Sequence, residues 1–123
     1  MNILADTNVW CDYFRQGDPA LSQLIEFGFL SIHSLVIGEL AVGNLPARRQ
    51  TLEDLRAFPE IRPATFDETH VLLEDRALFG KGLHWNDLLI LASVVTSPGT
   101  LLWTRDQRLA RAAAGLSVSW DPA

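Results

Sequence analysis

Apolar positions along the chain fall into short runs and helical periodicities that alternate with polar turns. Ile3-Leu4-Ala5, bounded by Asn2 and Asp6, reads as a short buried strand, and the helix-like stretch Val9 to Phe14 follows it without a linker. The switch from strand to helix therefore falls at Asp6. Gln16-Gly17-Asp18-Pro19 is a turn in which Asp18 is placed to cap a helix and Pro19 to occupy its first position. Leu21, Leu24, Ile25 and Phe29 recur at helical spacing, which predicts a second helix over 19–27, ended by Gly28. Phe29 to His33 reads as a short strand. Ser34 then opens Leu35 to Asn44, apolar almost all round, which predicts a buried helix with Glu39 as its one charged member.

Pro46 starts a further helix that runs to about Phe58, with Leu52, Leu55 and Phe58 on one face. Pro59 and Pro63 frame Ile61 and Arg62, a place for a short edge strand. From Phe66, with Asp67 as its cap, a helix runs through Leu78 and ends at Gly80-Lys81-Gly82. Leu83 to Asp87 leads into Leu88 to Val95, where Ser93 is the single polar residue; this is the core helix. A strand over Thr100 to Thr104, a helix from Arg105 closed by Gly115, and a last short strand from Leu116 to Trp120 complete the chain. Strands alternating with helices predict an α/β fold: a single three-layer domain over residues 1–123, with a short, mostly parallel central sheet flanked by helices.

Composition narrows the class without naming a function. A chain of 123 residues with 48% hydrophobic content can bury a core of its own. No apolar run approaches the roughly 18 residues of a membrane helix, and the N-terminus lacks the charged-then-apolar layout of a signal peptide, so the expectation is a cytoplasmic protein without membrane contact. The lone Cys11 has no internal disulfide partner, and its apolar neighbours suggest a small packed side chain. The net charge of −5 at first argues against nucleic acid as a partner. Setting aside four acids that share one pattern leaves ten cations against eleven acids, and bound divalent cations would shift the balance further.

Those four acids are Asp6 just after the first strand, Glu39 inside the apolar third helix, Asp87 at the start of the core helix, and Asp106 just past the Thr100 to Thr104 strand. Taken singly, each aspartate is equally well read as a helix cap or first-turn acid, and Glu39 as a residue on an exposed stripe. Taken together, two strand ends deliver Asp and the two most apolar helices each carry one acid. Clustered carboxylates repel one another unless something positive sits between them, and hard oxygen ligands suit Mg²⁺, with Mn²⁺ able to substitute. The chemistry expected of such a site is phosphodiester hydrolysis, with a hydroxide-like water as nucleophile and the metal neutralising charge on the phosphate.

Leu4-Ala5-Asp6-Thr7-Asn8, then Ser34 with Glu39-Leu40 and Gly43, then Asn86-Asp87 with Ile90 and Ala92, then Trp103-Thr104-Arg105-Asp106, resemble in order and interval the PIN-domain ribonucleases, most closely the VapC toxins of bacterial toxin–antitoxin pairs. The resemblance spans essentially the whole chain. It implies a Mg²⁺-dependent endoribonuclease in which Asp6, Glu39, Asp87 and Asp106 form the acidic tetrad, with Asn8 and Thr104 orienting carboxylates or water. It further implies a homodimer silenced by a VapB-type antitoxin, with the apolar Leu35 to Val42 helix a candidate for part of the dimer surface. Asp6 and Asp87 are the expected direct metal ligands; Glu39 and Asp106 are expected to act through water. His84-Trp85-Asn86 is bulkier than the corresponding stretch in many relatives.

Arg105, Arg108 and Arg111 recur at three-residue spacing on the last helix, and with Trp85 they are candidate RNA contacts. Three other readings compete with this one. A phospho-receiver-like signalling domain would need a paired acid in the first loop and a late lysine, whereas Asp6 is followed by Thr7-Asn8 and Lys81 is the only lysine. An aspartyl-nucleophile phosphatase would need Asp at position 8 and a cap domain. From a different class, a catalytically silent PIN-like module would bind a protein partner, but a silent site tends to lose acids, and here all four are present.

Overall fold

The computed structural model describes residues 1–122. Strand β1 (Asn2–Ala5) is the middle of a parallel three-stranded sheet, with β2 (Leu30–Ser31) on one side and β3 (Thr100–Trp103) on the other. Ile3 pairs with Leu30 and Leu101, and Leu4 with Ser31 and Leu102. Ile3, Leu4 and Ala5 are wholly buried. A strand covered on both faces has no polar alternation to show, which is why it appears in the sequence as an unbroken apolar run.

Helices α1 (Thr7–Gln16) and α2 (Pro19–Glu26) connect β1 to β2, and α3 (Ser34–Val42), α4 (Arg48–Arg56), α5 (Phe66–Asp75) and α6 (Trp85–Val95) connect β2 to β3. After β3 comes α7 (Gln107–Gly115). α1, α3 and α4 pack in sequence on one another, while α6 packs on α5, α7 and β3. The two crossovers move in opposite directions across the sheet, so right-handed connections carry them over opposite faces and produce three layers. The boundary where connections part lies between β1 and β3, since β1 leads to β2 on one side and β3 leads to residues 118–120 on the other. In open parallel sheets that boundary opens a crevice at the carboxyl ends of the strands.

Several predicted elements shrink or change. The edge strand at Ile61 and Arg62 is reduced to one parallel bridge between Ile32 and Glu60, because Pro59 and Pro63 withhold the amides a longer ladder needs. The final strand is likewise a single bridge, Leu102 to Ser119, held by Leu102 N to Val118 O at 2.7 Å and Trp120 N to Leu102 O at 2.8 Å. Ser117, in the left-handed region at φ 59°, ends the helical turn and delays the extended backbone. α3 is not a buried helix: within it only Val36 and Leu40 are buried, and Val42 is 90% exposed. The cap of α5 is Thr65, in a reciprocal capping box with Glu68, and Asp67 sits in the first turn. Cys11 is exposed, contrary to the packing role its apolar neighbours suggested.

Asp18 caps α2, accepting from Ala20 N and Leu21 N, and Pro19 occupies the first position as predicted. α6 buries six of its residues, Ser93 among them. That hydroxyl is fully used: it donates to Leu89 O at 2.7 Å and accepts from Ala64 N at 2.8 Å, with His33 Nε2 at 2.9 Å. His33 Nδ1 in turn accepts from Leu35 N at 2.9 Å and so caps α3. These bonds require the neutral ring with its proton on Nε2.

Burial pushes His33 below the usual histidine range, with Glu60 pulling weakly the other way. The unfolded chain therefore takes the proton first, so this contribution to stability is present above the unfolded value and disappears as pH falls through the folded one. Melting temperature should drop as pH falls through the window below about 6.5. His33→Asn, which retains a capping oxygen, should melt lower at pH 7.5 and show a flatter slope across that window; melting scans at a series of pH values provide the check.

Candidate active site

β1 ends in a carboxylate because the next residue begins a helix and its amides need an acceptor. Asp6, extended at φ −70° and ψ 163°, caps α1 through Oδ1, which accepts from Thr7 N at 2.8 Å. Oδ2 is held from the neighbouring strand: Thr104 Oγ1 donates to it at 2.7 Å, and Asn8 Nδ2 at 3.3 Å. Asn8 also donates to Thr104 Oγ1 at 3.2 Å and accepts from Arg105 N at 3.0 Å, which ties the end of β1 to the loop after β3. The Thr104 hydroxyl accepts from Asp106 N at 3.1 Å. Asn8 and Thr104 thus make the contacts that orient Asp6.

The other three acids are held from helix termini as well. Asp106 caps α7, its Oδ1 accepting from Arg108 N and Leu109 N. Asp87, in the first turn of α6, accepts from His84 N at 3.0 Å through Oδ2. Glu39 Oε1 accepts from Thr7 Oγ1 at 2.7 Å across the gap between α3 and α1. Among the described residues, Glu39 Oε2, Asp87 Oδ1 and Asp106 Oδ2 accept no hydrogen bond. All four acids, with Asn8, Asn86 and Ile90, line one open cavity of about 430 Å³ at the sheet's switch point. Glu39 does lie on an exposed face of α3, but that face borders the cavity.

Asp6 is 8% exposed, and burial raises its pKa above the usual carboxylate value. The Thr104 and Thr7 hydrogen bonds oppose that rise, while the charges of Glu39 and Asp87 reinforce it. Negative charge therefore converges on a desolvated carboxylate, an arrangement that a small cation relieves. No three His, Cys, Asp or Glu side chains among the described residues stand together as a ready-made cluster. The carboxylates instead border the cavity from separate elements. That arrangement fits Mg²⁺, which keeps several waters and takes only one or two carboxylates directly.

The candidates beside the acids have different fates. Arg105 is engaged: its guanidinium binds Asp12 Oδ2 at 2.7 Å and Asp18, and lies 5.3 Å from the Trp103 ring centre. Those two carboxylates occupy it in place of phosphate. Arg108 and Arg111 are exposed and form no ion pair among the described residues, but they line a neighbouring cleft, not the acidic cavity. Trp85 is 38% exposed and packs against Phe66 with ring centres 5.0 Å apart, while Trp103 is core. Thr7 lines the cavity too, as do two residues not read as site candidates from the sequence, Cys11 and Asp12. Cys11 and Asp12 follow Asn8 by three and four positions on α1, a spacing that puts them on one helix face and that a helical reading could have used; the Thr7 contact to Glu39 depends on tertiary structure alone.

The sequence model of the PIN domain matches residues 3–115. Ribonuclease VapC32 of Mycobacterium tuberculosis, in strains CDC 1551 / Oshkosh and ATCC 25618 / H37Rv, is 38% identical over 117 residues, which covers 95% of this chain and 94% of the relative.

The hydrogen bonds decide which substitution tests the charge repulsion. Asn at position 6 would turn an amide donor toward the Asn8 and Thr104 donors, whereas Asn at position 87 keeps an oxygen for His84 N. In metal-free buffer at pH 7, Asp87→Asn should relieve about 0.5 kcal/mol of repulsion and raise the melting temperature by about 2 °C. Millimolar Mg²⁺ should stabilise the wild type more than the variant. Melting curves with and without the ion measure both effects; an Asp87→Asn protein that melts lower in both buffers would make Asp87 a structural cap only.

Proposed function

The chain belongs to the PIN-domain family, and on that premise we propose that it is an endoribonuclease, the toxin of a VapBC-type pair, which hydrolyses RNA phosphodiester bonds at Asp6, Glu39, Asp87 and Asp106. The observation that carries this reading is the convergence of four acids, from four separate elements, on one cavity at the switch point of the sheet. Mg²⁺ held there, or Mn²⁺ in its place, would supply an acidified water and neutralise charge on the phosphate and the leaving oxygen.

The chain's own part is to fix the donors. Asp6 and Asp87 are the direct ligands in this proposal. Asp6 is the more rigid of the two, because Thr7, Asn8 and Thr104 together occupy its oxygens' lateral positions. Glu39 and Asp106 each keep one oxygen free among the described residues, which suits them to hold water at the cavity wall. The amides beneath Asp6 and Asp106 belong to helix N-termini, whose dipoles favour the ionised form of both acids. The open mouth of the cavity admits a flexible single strand.

A VapB-type antitoxin and a second copy of the chain are the expected partners, with the exposed end of α3 around Val42 a candidate part of the dimer surface. No helix among the described residues is long and apolar enough to cross a membrane. The receiver-like alternative finds no support in the site, since Lys81 lines a different cavity from the acids.

Purified protein freed of any antitoxin should cut RNA in Mg²⁺ or Mn²⁺ and stop in EDTA. Glu39→Gln and Asp87→Asn, which keep their hydrogen bonds, should reduce cleavage by about 10–100-fold or more while remaining folded. Gel analysis of a mixed RNA pool, with sequencing of the new 5′ ends, reads the outcome. No metal-dependent cutting of any RNA, together with an Asp6→Asn form no less toxic in cells than the wild type, would end the nuclease reading.

A further inference from the structure

A second cleft of about 470 Å³ is lined by the turn before α6, the end of α5 and α7, and shares no residue with the acidic cavity. Four cations line it: Arg76 at the end of α5, Lys81 in the turn before α6, and Arg108 and Arg111 on α7. Leu78, Leu83 and Leu116 form its apolar walls, and no acid contributes to the lining.

This concentration is unusual given how the remaining cations are used. The protein has ten Lys and Arg residues against fifteen Asp and Glu. Arg15, Arg62 and Arg105 are paired with carboxylates, and Arg48 donates to Ala41 O and Gly43 O at the end of α3. Arg49 and Arg56 share their cavity with Glu53 and Glu60. The remaining four all line this cleft, and none makes an ion pair among the described residues. Arg108 is also held in position. Gly82, at φ 78°, lets its backbone approach so closely that a Cβ there would lie 2.9 Å from Arg108 Nη1.

Residues of the cleft lie within a few positions of two of the acids. Arg108 follows Asp106 by two residues and donates its backbone N–H to that carboxylate. Lys81 precedes His84, whose amide binds Asp87. We propose that this cleft grips the phosphates of the substrate RNA beyond the scissile bond, so that one strand is held by these four cations and cut at the acids nearby. The inference rests on the ribonuclease reading above. RNA fits better than an acidic peptide, because its backbone carries a charge at every residue, which suits four cations gathered in one cleft, and because the cleft lies beside the cavity where the ribonuclease reading places cleavage.

Binding of a fluorescent single-stranded RNA of mixed sequence, measured by anisotropy in EDTA so that nothing is cut, isolates the cleft from the metal site. Each phosphate contact contributes about 0.7 to the slope of log K against log salt for a single strand. Arg76→Ala/Lys81→Ala, both at exposed positions, should flatten that slope by about 1.4 and weaken binding at low salt at least about tenfold, with the melting temperature unchanged. An unchanged slope and affinity would overturn the proposal, as would a double variant that loses binding to a poly-glutamate peptide but not to RNA. A parallel Mg²⁺ cleavage assay on the wild type separates the two readings. Cutting with an unaltered salt slope removes the cleft alone, whereas altered binding without cutting removes the nuclease.

Discussion

Asp6 and Thr104 are 98 positions apart in the chain, and the hydrogen bond between them joins the ends of the two strands on which the site is built. A carboxylate that is 8% exposed at the centre of a sheet edge is costly unless its oxygens are supplied with donors. The fold supplies them from three sources: the α1 amide at Thr7, the Asn8 side chain, and the Thr104 hydroxyl. Because Asn8 also binds Arg105 N, and Thr104 also accepts from Asp106 N, the same few bonds set the path of the chain after β3. The register of β1 on β3 and the placement of Asp106 are therefore one constraint.

Capping and ligation are compatible in this arrangement, which changes the weight of the two readings that compete in the sequence. A capping carboxylate uses one oxygen on a backbone amide and leaves the other free. Asp87 and Asp106 do so, and Glu39 achieves the same through the Thr7 hydroxyl. The helix amides orient each acid and favour its charge. A divalent ion would then draw on oxygens that already face one cavity and are held by bonds the fold needs in any case. Asp6 differs, since both of its oxygens are engaged, and burial and repulsion together raise its pKa. It is the position where the absence of positive charge is felt most.

How much of this was legible beforehand depended on whether the information was local. β1, α2 with its Asp18-Pro19 start, α6, β3 and α7 are announced by apolar runs and by capping residues, and the acids at their ends could be placed from these alone. Apolar composition predicts a buried α3 but does not say which face finds a partner, and Val42 and Gly38 remain outside. For the same reason it suggests a packed Cys11, which instead borders the acidic cavity. The two edge strands that the sequence predicts are each limited to a single bridge, by proline and by a left-handed serine. Spacing groups Arg105 with Arg108 and Arg111. Its real partners, Asp12 and Asp18, lie on or before other helices, and no periodicity on α7 points to them.

The same distinction explains why net charge is a poor guide to what this protein binds. The total is −5, but the charges are sorted. Five acids border one cavity, Asp12 among them paired with Arg105, which also takes up Asp18, and Arg62 holds Glu68 with its pKa lowered to about 2. The cations left over come from α5, a turn and α7, and they meet only because α7 packs beside α6 and Gly82 lets the turn close on Arg108. Attraction between charges falls off over about 8–10 Å at physiological salt, so a phosphate at that cleft senses its four neighbours far more than the remote acids. An acidic protein can in this way present a locally basic surface close to a cavity bordered by carboxylates. A polyanion held at that cleft, as proposed, would meet those carboxylates without repulsion only where a cation stands between them.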